Sequence, residues 1–587
     1  MKVECFKAAT DCPRRLASCC LSSIVCSLAS VPRYLALGTV PVHVTGWTVL
    51  TTHIDRLAAH AYAHTAYRIP HTAYYRQHHN ELGLVTMNGH SVANGHASAS
   101  NDTQFDVLII GSGFSGINAA YRVQEGLPDL SFAILEGRHE LGGTWSQFKY
   151  PGVRSDSDLH TLGFEFNPWK ATNPIATGGS IMSYLNETAH EFDIDQKIRY
   201  NHKVIAADWR SSEQQWRLDV QVGQGEDTRT AVYWAKWLIT GTGYYSYEEA
   251  RKADIPGIDN FKGQIVHPQF WPEDLDYKGK KMVIIGSGAT TITLLPAMVE
   301  GGVGSVTQLQ RSPSYIISVS QNGDSWWEKY APQWFLLKYK RFMFTWMAIL
   351  MYQFCMYFPT RASKFLRKEA AKQLPADFPM DPHFKPAYNP WQQRLCVSPD
   401  GDYFKALNSG KAHIVTDTIK NVTSNSIELN SGETLDADII ITATGLSLRI
   451  LGGINISLDG KPVNVTEQYM WRSSMLTSIP NLGNIIGFWN ASWTLGSDTA
   501  SCLFVRLIKH MHENGYTSVV PEISEEDKKL AVGASPLNST YVANATSKLP
   551  KCANRGPWKP RENYFVDSWG AAKGSFTDGL RWERKSV

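Results

Sequence analysis

At 587 residues, with 43% apolar and 19% charged side chains, the chain can bury more than one core, so two or three domains are expected. Its formal net charge of +3 is small and dispersed, and no basic stripe interleaved with aromatics occurs, which argues against a nucleic-acid partner. Of nine cysteines, Cys5, Cys12, Cys19, Cys20 and Cys26 crowd the N-terminus and none forms a CxxC pair, which argues for a reduced compartment without structural disulfides or zinc.

Residues 1–104 read as an N-terminal extension. They hold half of the histidines, from His43 to His96, and an apolar run from Leu16 to Ser30 behind Arg14 and Arg15. A basic start before such a run resembles a signal or membrane anchor, yet the run is short for a spanning helix and no clear cleavage pattern ends it. The alternatives are a disordered extension or an upstream start, with Met87 as a sensible true start because MNGHSVANGHASASND is a small, polar lead into the first strand. His60 and His64 have i, i+4 spacing but no further acidic or cysteine ligands, so no metal site is expected.

Periodic structure begins at Phe105. FDVLIIGSGFSG reads as an apolar strand, a tight glycine turn and a helix through Ala119 and Tyr121, and FAILE gives a second strand ending at Glu136. Tyr200 to Trp237 reads as a meander that includes HKVIAADW and WRLDVQV and closes on WLITGTG. A second βα unit opens at KKMVIIGSGATT, and its partner strand SVTQLQRS ends at Arg311. After an aromatic, helical insertion the chain returns through TLDADIIITATG to Gly445. This order predicts an α/β protein with two Rossmann-like dinucleotide-binding domains. The first covers 105–250 and 436–587 with a C-terminal tail; it is split by the second, 251–435, which carries helices near 326–390.

Gly111, Gly113 and Gly116 supply GxGxxG between a strand and a helix. Glycine is required there because the turn is tight, a pyrophosphate approaches the backbone, and the helix N-terminus must face it. Glu136, at the next strand tip, is placed to accept hydrogen bonds from a ribose. The second loop, Gly286-Ser287-Gly288-Ala289-Thr290-Thr291, lacks the third glycine, which costs close helix packing but not phosphate contact. Where an NAD site would carry an acid, this chain has Arg311-Ser312, and an arginine can pair with a 2′-phosphate, so NADPH is expected over NADH.

Between the two loops lies FKGQIVHPQFWP, which reads FxGxxxHxxxWP at Phe261, Gly263, His267, Trp271 and Pro272. GGTWSQFKYPGVRSD, Gly142 to Asp156, is a second long signature. By these two strings the chain resembles the Baeyer-Villiger monooxygenases, class B flavin-containing monooxygenases, and most closely their ethionamide-monooxygenase-like branch, over about Phe105 to Trp569. The resemblance implies FAD in the first domain, NADPH in the second and O2 as co-substrate. One oxygen atom would enter beside the carbonyl of a hydrophobic ketone to give an ester or lactone, in secondary metabolism. It implies that Ser115 contacts FAD, that Val204 offers its backbone to the adenine, and that Thr144, Trp145 and Asp156 lie against flavin and nicotinamide. A carboxylate in that place needs a cation or a donor to offset its desolvation, so Asp156 predicts a partner elsewhere. The resemblance points to Arg394, in YNPWQQRLCVSPDGDYFKAL, as the catalytic arginine. Gln393 stands where many relatives keep a lysine, which puts a secondary phosphate contact in doubt. His267 is expected to organise the joint between lobes instead of moving a proton.

Two alternatives compete. An N- or S-oxygenating flavin monooxygenase usually ends the fingerprint on an aromatic without Trp-Pro, so Trp271-Pro272 argues against it, although the ethionamide-type branch that the chain resembles oxidises sulfur as well. An inactive flavin-binding relative is opposed by intact Arg394, Asp156 and His267. Arg341 to Pro359, RFMFTWMAILMYQFCMYFP, is apolar and aromatic between Lys338, Lys340 and Arg341 and the later Arg361, Lys364, Arg367 and Lys368. It resembles an interfacial helix with basic flanks, a buried helix lining the substrate pocket being the alternative. Thr345 and Gln353 break the run, which is marginal against the ~20 residues of a span. The expected location is cytoplasmic, with peripheral membrane contact through 342–359.

Overall fold

The structure, a computed structural model, describes residues 103–585 except 323, 324, 536 and 562. The expected extension, with its targeting run and Met87, lies outside the described residues except for its last two positions. The first strand, Gln104–Ile110, is flanked in parallel by Phe132–Leu135 on one side and Arg229–Thr240 on the other. Val107, Leu108, Ile109 and Ile110 are all buried, a continuous apolar run instead of an alternating one, because helices and the meander cover both faces of this strand. His202–Arg210, Gln215–Val222 and Arg229–Thr240 form the antiparallel meander, and Leu482–Asn484 rejoins the sheet beside Arg229–Thr240. One core packs the helix Phe114–Gly126 against the long helix Trp493–Asn514.

The second sheet is all parallel, in the order Ala412–Thr416, Ser305–Gln310, Lys281–Ile285, Ile439–Thr442, Gln264–Val266. Ile439–Thr442 pairs with both Lys281–Ile285 and Gln264–Val266, so it completes this sheet. The expected boundary at 435/436 is therefore too early. The run is apolar enough to be buried in either sheet, and its register with Met282 to Ile285 decides the matter. The insertion is helical as expected, with Gln333–Tyr357 and Pro359–Ala371 as its main elements.

The two crossings between lobes run side by side. Tyr245 and Leu448 form an antiparallel bridge, and the Ser246 N–H donates to the Ser447 carbonyl at 2.7 Å. Arg251 donates to the Thr444 carbonyl at 2.6 Å.

Candidate active site

The first glycine loop is built by close approach. Gly111 has φ +96°, and a Cβ on it would sit 2.9 Å from the Gly241 carbonyl oxygen. On Gly116 a Cβ would fall 1.8 Å from the Gly111 oxygen, so the helix can start against the strand only without a side chain there. Gly113 caps the helix through backbone alone, which leaves its N-terminus turned to a cavity of about 520 Å³. Gly111, Gly113, Ser115, Glu136, Thr144, Trp145, Asp156, Val204, Thr290 and Arg394 all line that cavity. Expected residues from both glycine loops, from the Gly142 to Asp156 signature and from the Arg394 segment thus meet in one space.

Glu136 is buried and its carboxylate is held from two sides. Ser112 donates its N–H and hydroxyl to one oxygen at 2.7 and 2.8 Å, and the Arg138 N–H donates to the other at 3.0 Å. The carboxylate is thereby fixed at the strand tip with acceptor capacity left for a ribose. Val204 reaches the cavity at a register irregularity between Val204 and Ala206, which bends its strand locally. Ser115 accepts from the Trp493 indole N–H at 2.9 Å, which ties the NASWTLGSD segment to the first loop. Thr144 accepts from the Tyr245 hydroxyl at 2.9 Å, and Tyr247 stacks on Tyr245 at 4.9 Å. Burial pushes both phenols up, so they stay neutral hydrogen-bond donors.

The second signature spans the gap between lobes. Gly152, φ +78°, lies against the helix Ala289–Glu300 so closely that a Cβ would meet the Ala297 Cβ at 2.7 Å and the Thr293 oxygen at 2.9 Å. Burial pushes the Tyr150 phenol up to about 12; a hydrogen bond with Thr290 opposes this and the Asp156 charge adds to it. At its end Asp156 meets Arg394, Oδ2 to Nη1 at 3.3 Å, and Arg394 also donates to the Phe488 carbonyl at 3.4 Å. The partner of Asp156 is thus Arg394.

The second loop is more open. Gly286, φ +145°, approaches Ala443 as Gly111 approaches Gly241, but a Cβ on Gly288 would meet nothing within 4 Å. Thr291 fills the place of the missing third glycine and is fully buried, so here the helix stands far enough off to admit a side chain. Ser287 donates to the Ser312 carbonyl at 2.7 Å, which joins the loop to the next strand tip. Arg311 is exposed at that tip, outside the walls of the 520 Å³ cavity. That place suits a contact with the outer end of a dinucleotide lying over Gly288.

The fingerprint does not line the cavity. Phe261 is buried in the second lobe, and Gly263 is glycine because a Cβ would lie 2.3 Å from the Asp438 oxygen. Trp271 packs on the second core, and Pro272 accepts from the Leu275 N–H at 3.3 Å. His267 accepts from the Gln269 N–H at 3.2 Å, and the buried Gln269 donates to the Ser246 carbonyl at 2.6 Å. Burial lowers the His267 pKa, and the Gly445 carbonyl acts in the other direction. The motif is therefore clamped to both crossings, as a joint.

Sequence reasoning missed several cavity residues. Arg138, two residues after Glu136, donates to the Gly143 carbonyl at 3.1 Å and to Ser146 at 2.6 Å, binding the two loops together. Its spacing from Glu136 was a usable signal. Arg154 lines the cavity and pairs with Asp402, which no local spacing could have revealed. The tail approaches as well: the Asn538 N–H donates to the Gln392 carbonyl at 2.9 Å, behind Arg394.

The site fits the groups expected. An uncapped helix N-terminus, a backbone cradle at Gly111 to Gly113 and a fixed acid at the strand tip suit a dinucleotide pyrophosphate and ribose. Residues 105–451 match the family model described as flavin-binding monooxygenase-like. The chain is 45% identical over 476 residues to the FAD-containing monooxygenase EthA of Mycolicibacterium smegmatis, covering 79% of this chain and 94% of that one. It is 42% identical over 488 residues to the probable FAD-binding monooxygenase AlmA of Acinetobacter baylyi, covering 83% and 97%. Among solved structures, an oxidised steroid monooxygenase bound to NADP superposes with a TM-score of 0.65 at 19% identity, over 82% of this chain and all of that one. Cyclohexanone monooxygenase from Rhodococcus sp. Phi1 bound to NADP+ gives 0.62 at 19%, again over 82% of this chain and 100% of that one. At such identity these two speak for the fold.

Proposed function

The chain belongs to the flavin-binding monooxygenase-like family, and from that membership we propose that it is a Baeyer-Villiger monooxygenase of the ethionamide-monooxygenase-like branch, acting on a hydrophobic ketone. FAD and NADPH are its cofactors. The first loop, Glu136, Thr144 and Val204 would hold FAD; Gly286 to Thr290 with Arg311 and Ser312 would hold NADPH. Bound together, the two supply hydride transfer and the activation of O2.

The protein's own part is positional and electrostatic. Arg394 offers fixed positive charge beside the cavity, where a ketone oxygen gains negative charge during oxygen insertion. Asp156 aims that guanidinium, and the Phe488 carbonyl takes a second of its donors. Trp145 and Trp493 shield the cavity from water, and Tyr245 fixes Thr144. His267 and Gln269 tie the joint, so that the lobes move about the paired crossings without loss of register.

The observation that carries the reading is the meeting of Asp156 with Arg394 at the wall shared by both lobes. NADPH consumption measured across ketones and thioethers, with product masses and Arg394→Ala as control, tests it. Ester from ketone with the parent alone supports it. Sulfoxide formation without ester would favour the heteroatom-oxygenating alternative, and NADPH-inert yellow protein the inactive one.

A further inference from the structure

The helix Gln333–Tyr357 turns its apolar side outward. Phe342, Trp346 and Leu350 recur at four-residue steps, with Trp334 two such steps before Phe342 and Lys338 between them, and Trp334 and Phe342 are more than half exposed. Its buried positions are Thr345 and Cys355, the reverse of the pattern of a core helix. The patch continues onto the helix Tyr564–Lys573, where Val566 and Trp569 are about two-thirds exposed and Phe565 approaches Trp346 at 6.4 Å between ring centres. Exposed aromatic and aliphatic groups that continue over two elements mark a candidate interaction surface.

The charge around this patch is predominantly positive, although Asp567 lies on Tyr564–Lys573 and Lys340 pairs with Glu328 at 2.8 Å. Gln333–Tyr357 contains three cations and no acid. The next helix, Pro359–Ala371, turns from it by 119° and exposes Arg361, Lys364 and Lys368 at three- and four-residue steps along one face. A second copy of this chain packing symmetrically would bring these cations towards one another. An anionic lipid surface would neutralise them while taking up the aromatic side chains at headgroup depth. Among the described residues no single helix is long and apolar enough to cross a membrane, so the arrangement suits lying on a bilayer.

The inner side of the same helix packs on segments that adjoin the candidate site. Arg341 donates to the carbonyls of His160 and Gly163 at 3.0 and 2.8 Å, Phe344 lies 5.0 Å from the His160 ring, and Tyr352 packs edge-on against Trp391, three residues before Arg394. We infer that the outward faces of Gln333–Tyr357 and Tyr564–Lys573, with the basic face of Pro359–Ala371, dock this protein on anionic phospholipid bilayers. Resting on the oxygenation reading, docking through this helix brings the Arg394 segment, which Trp391 joins to it, close to membrane-partitioned apolar ketones.

Co-sedimentation of the full-length holoprotein with phosphatidylcholine vesicles, with and without about one-third phosphatidylglycerol, tests the surface without reference to turnover. The parent should bind the anionic vesicles and lose that binding about tenfold in 0.5 M salt or in Lys364→Glu/Lys368→Glu. Trp346→Ser/Leu350→Ser should lower binding similarly, with flavin content and melting temperature unchanged. Equal binding to both vesicle types, undiminished binding by the variants, or no binding would each overturn the proposal. So would sedimentation velocity showing a parent dimer that these variants dissociate. Failure of ketone oxygenation with vesicle binding intact would count against the reaction and leave the docking surface standing.

Discussion

Arg394 and Asp156 sit 238 residues apart in the chain and 3.3 Å apart in the fold, each about one-third exposed. A pair so exposed contributes about 0–1 kcal/mol to stability, so its geometry serves position and not folding. Arg394→Ala should therefore shift the melting temperature by less than about 4 °C, yet reduce ester formation by about 10²–10³-fold while flavin content stays at the parent level. Thermal melts and product quantification on one preparation check both halves.

The two glycine loops make unequal demands. Gly116→Ala forces a methyl group onto the Gly111 carbonyl at 1.8 Å, neither atom being free to move, and should cost about 3 kcal/mol with loss of bound flavin. Thr291→Ala, at the matching place of the second loop, removes a buried hydroxyl that has no hydrogen-bond partner and should cost about 1 kcal/mol or less. Denaturant titration and the flavin absorbance ratio distinguish the two.

His267 gives a pH test of the joint. Free imidazole titrates near 6.5, and burial lowers the pKa of His267. The unfolded chain then takes up this proton at higher pH than the folded one, so the stability tied to neutral His267 is complete above about 6.5 and is lost as pH falls through the folded pKa. A melting series from pH 8 to 5 should fall more steeply for the parent than for His267→Gln. The kcat–pH profile should keep its shape in the variant; a vanished ionisation there would instead make His267 an acid or base.

Arg311 stands at the tip of its strand, outside the cavity walls and beside the loop that Ser287 ties to Ser312. Arg311→Ala should raise the KM for NADPH by about ten- to a hundredfold and leave that for NADH within about twofold, the difference expected for one charge-assisted phosphate contact. Steady-state kinetics with both nucleotides measure it.

Much of this was legible because backbone constraints leave local marks. Gly111 to Gly116, Glu136 at its strand tip and the Gly142 to Asp156 signature are contiguous strings whose residue types the turn and the lobe contact require. The expectation of a partner for Asp156 rested on its resemblance-given place beside the flavin. What stayed hidden depends on register between distant segments. Arg154 with Asp402 is 248 residues apart, Trp493 with Ser115 is 378, and nothing beside either partner marks the other. The fate of Ile439–Thr442 was likewise open, since a fully apolar strand reads alike in either sheet. The fingerprint was legible as a string and its part in the joint was expected from it, but not the partners that tie it there, the Ser246 carbonyl bound by Gln269 and the Gly445 carbonyl beside His267.

The most direct test of the account is the mass of the product formed from a hydrophobic ketone with NADPH under ¹⁸O2. The account predicts an ester or lactone carrying one labelled oxygen, formed in proportion to NADPH consumed and lost in Arg394→Ala. NADPH consumption that yields only hydrogen peroxide across ketones, or an Arg394→Ala variant that forms labelled ester at the parent rate, would contradict it.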